Sequence, residues 1–127
     1  MDIKLGYIIL YVENIEKSIT FYRDMLGFPV KMQVESYTEF DTGATTLAIN
    51  TRESVRNLTD LPIPFGKRTE QTSEIGLVTE DVEGLIEQLR SQDVPILLEP
   101  VQKPWGQTVA YVSDPDGHFI EICSPIT

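Results

Sequence analysis

The chain carries one local pattern twice. Val12-Glu13-Asn14-Ile15-Glu16 overlays Thr79-Glu80-Asp81-Val82-Glu83 at a shift of 67 residues (12 to 79), and Gly27-Phe28-Pro29-Val30 overlays Asp93-Val94-Pro95-Ile96 at a shift of 66 (27 to 93). A helix cap, a helix face and a proline coincide in the two copies. The period is too long for a solenoid, and two copies point to an internally duplicated domain.

Each half reads strand, helix, three strands. In the first, Ile3–Val12 is apolar and strand-favouring, and Asn14 is an N-cap. Ile15, Ile19, Tyr22 and Leu26 recur at helical spacing. Gly27 and Pro29 stop the helix, and strands follow over Val30–Glu35, Tyr37–Asp41 and Thr45–Asn50. In the second, Glu74–Thr79 is a strand, and Asp81 caps a helix with Val82, Leu85, Ile86 and Leu89 on one face. Strands are predicted near Ile96–Glu99, Thr108–Val112 and His118–Cys123. Thr51–Thr72, between the halves, holds Pro62, Pro64 and Gly66 and few periodic apolar residues. It is a functional loop or a linker, and Leu61, Ile63 and Phe65 are its candidates to cover a pocket or an interface.

The last hairpin places chemistry. In Asp114-Pro115-Asp116-Gly117 the aspartates can bond their own backbone, the proline fixes a dihedral, and the glycine supplies the positive one. Beyond the turn, Phe119, Glu121 and Cys123 share one strand face; His118, Ile120 and Ile122 share the other. Glu121 is thus an acid in an otherwise apolar strand, and it needs a partner or a ligand. His118 is the only histidine and reads as a turn residue on the opposite face. Cys123, the only cysteine, reads as a buried thiol and excludes an internal disulfide.

The chain has 127 residues, which suits one domain. Its net charge is −10, from 20 acids and 10 bases, which disfavours nucleic acid and anionic membrane as partners. Residues 67–127 carry 11 acids against 4 bases, a field that attracts cations. No apolar run is long enough to span a membrane, and Met1-Asp2-Ile3-Lys4 lacks a signal-peptide layout. A cytoplasmic setting is the expectation.

Two βαβββ modules ending in Asp114-Pro115-Asp116-Gly117-His118-Phe119-Ile120-Glu121 resemble the vicinal oxygen chelate superfamily. That superfamily includes glyoxalase I, bleomycin and fosfomycin resistance proteins, methylmalonyl-CoA epimerase and extradiol dioxygenases. Val12–Phe28, with Ser18, Phe21, Tyr22 and Leu26-Gly27-Phe28, and Pro104-Trp105-Gly106 extend the resemblance over nearly the whole chain. It implies an α+β fold in which two βαβββ modules form a half-open mixed β-sheet barrel with a central cavity. Residues 1–50 would be the first module, 51–72 a linker loop and 73–127 the second module, together one domain. The resemblance implies a homodimer, in which the modules pair within one chain or across the two.

In the metal-dependent relatives, four inward positions supply histidine, glutamine or glutamate ligands. The resemblance carries these onto Tyr7, Ala48, Glu74 and Glu121; a slip of one residue would replace Glu74 by Ser73. Only Glu121 matches by type. Two carboxylates without imidazole are a poor transition-metal shell, so no cofactor is expected, with a divalent metal on Glu74 and Glu121 as the alternative.

Without the metal, the expected ligand-binding residues are Tyr7, Ile9, Tyr11, Ala48, Glu74, Trp105, Phe119 and Glu121, with Trp105 as a lid or wall. Aromatic rings and acids suit a small aromatic or cationic molecule. The leading expectation is a metal-free binding protein of the bleomycin-resistance type, with antibiotic resistance among its roles. One alternative is a metal-dependent lyase, isomerase or dioxygenase, with Glu74 or Glu121 as general base. The other is a non-catalytic interaction domain.

Overall fold

The computed structural model describes residues 2–66 and 70–126. The chain divides into two compact units, Met1–Lys67 and Arg68–Thr127. Each holds one four-stranded mixed sheet and helical segments, the α+β architecture expected of the repeat. Among the described residues, no helix is long and apolar enough to cross a membrane.

The first unit runs β1 (Tyr7–Val12), α1 (Ile15–Ile19), a π-helical segment (Thr20–Met25), β2 (Val30–Val34), β3 (Tyr37–Phe40), β4 (Thr46–Thr51) and α2 (Arg52–Leu58). Its strand order is β1-β4-β3-β2, with β1 parallel to β4 and the other pairs antiparallel. Asn14 caps α1 by accepting a hydrogen bond from the Lys17 amide at 3.0 Å. The helix buries Ser18, Ile19, Phe21 and Tyr22. Phe21 meets Tyr22 edge-on with ring centroids 4.9 Å apart, and Tyr22 packs on Phe40 at 5.7 Å.

The second unit runs β5 (Glu74–Val78), α3 (Val82–Ser91), β6 (Ile96–Gln102), β7 (Thr108–Ser113) and β8 (Phe119–Cys123). Its order, β5-β8-β7-β6, repeats the first with β5 parallel to β8. Asp81 accepts from the Gly84 amide at 2.9 Å. Val82, Ile86 and Leu89 of α3 are buried, as are Val112, Ile120 and Ile122 of the sheet, and α3 packs on β6, β7 and β8. Burying Ile120 and Ile122 leaves Phe119, Glu121 and Cys123 on the opposite face.

Four expectations are corrected. The strand beginning at Ile3 starts instead at Tyr7, with Ile3 and Leu5 exposed. The single helix through Leu26 becomes a short α-helix followed by π-helical turns, in which the Leu26 amide donates to the Phe21 carbonyl five residues back. The spacing of four apolar residues does not separate these two windings. Residues 51–72 are not a plain linker: β4 reaches Thr51, whose hydroxyl accepts from the Ser54 amide and caps α2. This helix buries Val55 and Arg52, and Arg52 pairs with Glu13 at 2.9 Å. An arginine stem does the packing of an apolar residue there, so the apolar pattern passes over it. In the same stretch Ile63 is buried, Phe65 is exposed under the Arg56 guanidinium at 4.0 Å, and residues 67–69 lie outside the described residues. Finally, β6 runs through Pro100 to Gln102 rather than ending at Glu99. It is the last strand in its sheet order and carries two register shifts, the places where a strand tolerates proline.

The β7–β8 turn is fixed by one buried carboxylate. Asp114 is 2 % exposed. Its Oδ1 accepts from the Asp116 and His118 amides, each at 2.9 Å, and its Oδ2 lies 2.7 Å from His118 Nδ1. A carboxylate only accepts, so Nδ1 carries the hydrogen. Gly117 takes φ 89°, the left-handed backbone that the turn needs. Removing the carboxylate orphans three donors around a buried site. Asp114→Ala is therefore expected to lower stability by about 3 kcal/mol or more, seen as a lower urea midpoint at unchanged m-value.

Candidate functional site

The duplicated sheets align rung by rung. In the first unit Ile9 pairs with Ala48, and Ala48 with Glu39. In the second, Gly76 pairs with Glu121, and Glu121 with Tyr111. Tyr7 and Glu74 stand two residues before Ile9 and Gly76, so they too are equivalent. The rungs share backbone geometry, but their side chains give them different chemistry.

In the second unit the rung gathers two acids and a phenol. A Cβ on Gly76 would lie 3.3 Å from Glu121 Oε1, so the glycine gives the Glu121 carboxylate room above the sheet. The Tyr111 hydroxyl is 3.1 Å from Glu121 Oε2 and 3.2 and 3.3 Å from the two Glu74 oxygens. Cys123, two residues on from Glu121, is buried and places its thiol 3.6 Å from the Leu77 carbonyl.

Beside this group lies a cavity of about 470 Å³ lined by Glu74, Leu97, Leu98, Tyr111 and Phe119, within the size range of small-molecule sites. Leu98 is the cross-strand partner of Tyr111, and Phe119 that of Glu74. The register shifts flanking Leu98 break the alternation of β6, and both Leu97 and Leu98 reach the cavity. Its walls are apolar and its polar end is acidic. Glu121 is not a lining residue; it bonds the hydroxyl of Tyr111, which is one.

Electrostatics follow from this packing. Burial pushes the Tyr111 phenol up to about 12, helped by the Glu121 hydrogen bond and then by the charges of Glu121 and Glu74. Burial also pushes the Cys123 thiol up to about 11, again with Glu121 and Glu74 adding. Both groups are neutral at physiological pH, and the thiol is a poor nucleophile there.

The expected site residues are distributed as follows. Glu74, Phe119 and Glu121 come together around Tyr111. Tyr7 and Ile9 are exposed on β1, Tyr11 is half-buried, and Ala48 is fully buried between Ile9 and Glu39. Trp105 is exposed in the β6–β7 turn. Its indole N–H donates to Gln107 Oε1 at 2.9 Å, and it is not among the residues lining the cavity.

The sequence reading passed over Tyr111, Leu97 and Leu98, and in the first unit Tyr37 and Glu39. Glu39 is buried and accepts from the Tyr37 hydroxyl at 2.6 Å. Burial, and then the Glu39 bond, push that phenol up to about 12. The signal for Tyr111 was present: counting outward from the Asp114–Gly117 turn pairs 113 with 119, 112 with 120 and 111 with 121. For Leu97 and Leu98 there was none, because bulges are set by packing.

The donors do not fit the metal shell of the catalytic relatives. At the equivalent positions the first unit offers a phenol, Tyr7, and a methyl, Ala48; the second offers Glu74 and Glu121, turned onto the Tyr111 hydroxyl. Among the described residues, no three His, Cys, Asp or Glu side chains gather to hold an ion.

A family model described as a glyoxalase-like domain matches residues 5–127. The phenazine antibiotic resistance protein EhpR of Enterobacter agglomerans is 27% identical over 121 residues, 91% of this chain and 87% of that protein. The metallothiol transferase FosB of Staphylococcus haemolyticus is 28% identical over 118 residues, 93% of this chain and 81% of that protein. A glyoxalase/bleomycin resistance protein/dioxygenase structure from Nocardioides shares the fold with a TM-score of 0.84 at 20% identity, over 98% of this chain and 84% of that one.

The phenol at Tyr111 has a spectroscopic consequence. Of the five tyrosines, Tyr37 and Tyr111 are expected to ionise near pH 12, and Tyr111→Phe removes one of these late steps in a tyrosine-labelled NMR titration. The folded chain keeps protons that the unfolded chain releases near pH 10. That stability is fully present below about pH 10 and lost as pH rises toward 12, less steeply in Tyr111→Phe.

Proposed function

This chain belongs to the glyoxalase-like domain family within the vicinal oxygen chelate superfamily, and on that premise we propose that it binds a small aromatic or cationic organic molecule, without a metal and without chemistry. The observation that carries the reading is the second-unit cavity. Leu97, Leu98 and Phe119 give it apolar walls, and Glu74 and Tyr111 an acidic, hydrogen-bonding end. Apolar walls take up an organic ring by removing its surface from water. The carboxylate selects positive charge, which the net charge of −10 concentrates around the protein. Similarity to a relative named for antibiotic resistance supports a sequestering role.

Similarity to a named transferase supports a second reading, an enzyme in which Glu74 or Glu121 takes a proton from a bound substrate. It requires an electrophile that the donor set does not favour. Elemental analysis of protein purified without chelator separates the two: a stoichiometric metal, lost on Glu121→Ala, establishes the enzyme reading.

The binding reading is tested by a thermal-shift screen of matched aromatic cations and anions. Cations are expected to raise the melting temperature, and Glu74→Gln to weaken their binding about tenfold or more, the loss of one charge-assisted contact. Stabilisation by the anions alone would overturn it.

A further inference from the structure

The three acidic-site side chains do not balance as donors and acceptors. Tyr111 has one hydroxyl proton, and three carboxylate oxygens lie 3.1–3.3 Å from it. It can donate fully to Glu121 or to Glu74, but not fully to both. Glu121, at the shorter distance and half-buried, is its first claimant. The Cys123 thiol also hydrogen-bonds Glu121, but a thiol is a weak donor, and it lies 3.6 Å from the Leu77 carbonyl as well. Glu74 is exposed, so in the free protein water serves it.

A ligand changes this. An organic molecule seated against Leu97, Leu98 and Phe119 takes water away from Glu74, which lines the same cavity. A desolvated carboxylate with no donor is costly. If Tyr111 turns its proton to Glu74, Glu121 is left with only the weak Cys123 thiol. Both acids gain a strong donor when Tyr111 donates to Glu121 and the ligand donates to Glu74.

We propose that the cavity selects organic cations carrying at least one N–H donor, such as protonated amines and amidines, over quaternary cations of the same charge, and that Tyr111 sets this selectivity by sharing one proton between Glu74 and Glu121. The inference rests on the binding reading above and narrows it. Charge alone treats the two cation types alike; the donor count does not. Glu121 acts as a positioning residue, since it reaches the ligand only through Tyr111.

The test is calorimetric titration of the full chain with benzamidinium and with phenyltrimethylammonium, two aromatic cations of equal charge. The wild type is expected to favour benzamidinium by about tenfold or more, the cost of a buried acceptor left without a donor. Glu121→Gln supplies an amide that has its own donor and releases the Tyr111 proton to Glu74. The preference is then expected to fall to about twofold or less while benzamidinium still binds. A purely structural role for Glu121 would weaken both ligands together and leave the ratio unchanged. Circular dichroism of the variant checks its fold, and the wild-type ratio stands even if the variant is damaged. Equal affinity of the wild type for both cations overturns the donor count but leaves cation binding in place. Binding of neither overturns the reading beneath it as well.

Discussion

Asp114 holds the second sheet in the arrangement on which the site depends. Its carboxylate collects two backbone amides and the His118 imidazole at one buried point. With that turn closed, β7 and β8 meet in one register, and Tyr111 falls beside Glu121. A slip of one residue would send Glu121 to the face under α3, among Ile120, Ile122 and Val112, where its charge would have no partner. The position of the functional acid is therefore decided by the turn before it.

Duplication explains why the site is lopsided. Both units build the same rung, yet one fills it with Ile9, Ala48 and Glu39 and the other with Gly76, Glu121 and Tyr111. Each unit bonds a phenol to a carboxylate, both on β3 in the first unit and on the neighbouring strands β7 and β8 in the second. In the first unit the acid is buried, bonded by Tyr37 of its own strand, and Ala48 adds no polar group to the rung. In the second, the missing side chain of Gly76 opens space for a carboxylate, and the bulged β6 adds apolar walls. Backbone repetition sets where side chains point; it does not set what they do.

Much of this was legible in the sequence, and the remainder was hidden for identifiable reasons. The repeat was readable because Asn14 and Asp81 are caps whose chemistry is local, and Pro29 and Pro95 punctuate without help from tertiary structure. The face of Glu121 followed from alternation alone. Tyr111 was hidden because its role lies in a cross-strand pair, which no single strand displays. The helix over Arg52–Leu58 was hidden because a buried arginine paired with Glu13 carries its packing. The π-helical turns after Ile19 and the bulges of β6 answer to packing, which leaves no periodic mark. Trp105 is a lid candidate by residue type, and its indole bonds Gln107 within the β6–β7 turn.

Strand β6 has a consequence for the protein in concentrated solution. It ends its sheet and exposes Leu97, Leu98 and Val101, a combination that ordinarily invites a second chain to add a strand and begin a fibre. Pro100 removes a donor from that row, and the two register shifts bend what remains. A foreign strand arriving there finds no continuous ladder to copy. The irregularity that turns both leucines into the cavity also works against strand addition along this apolar margin.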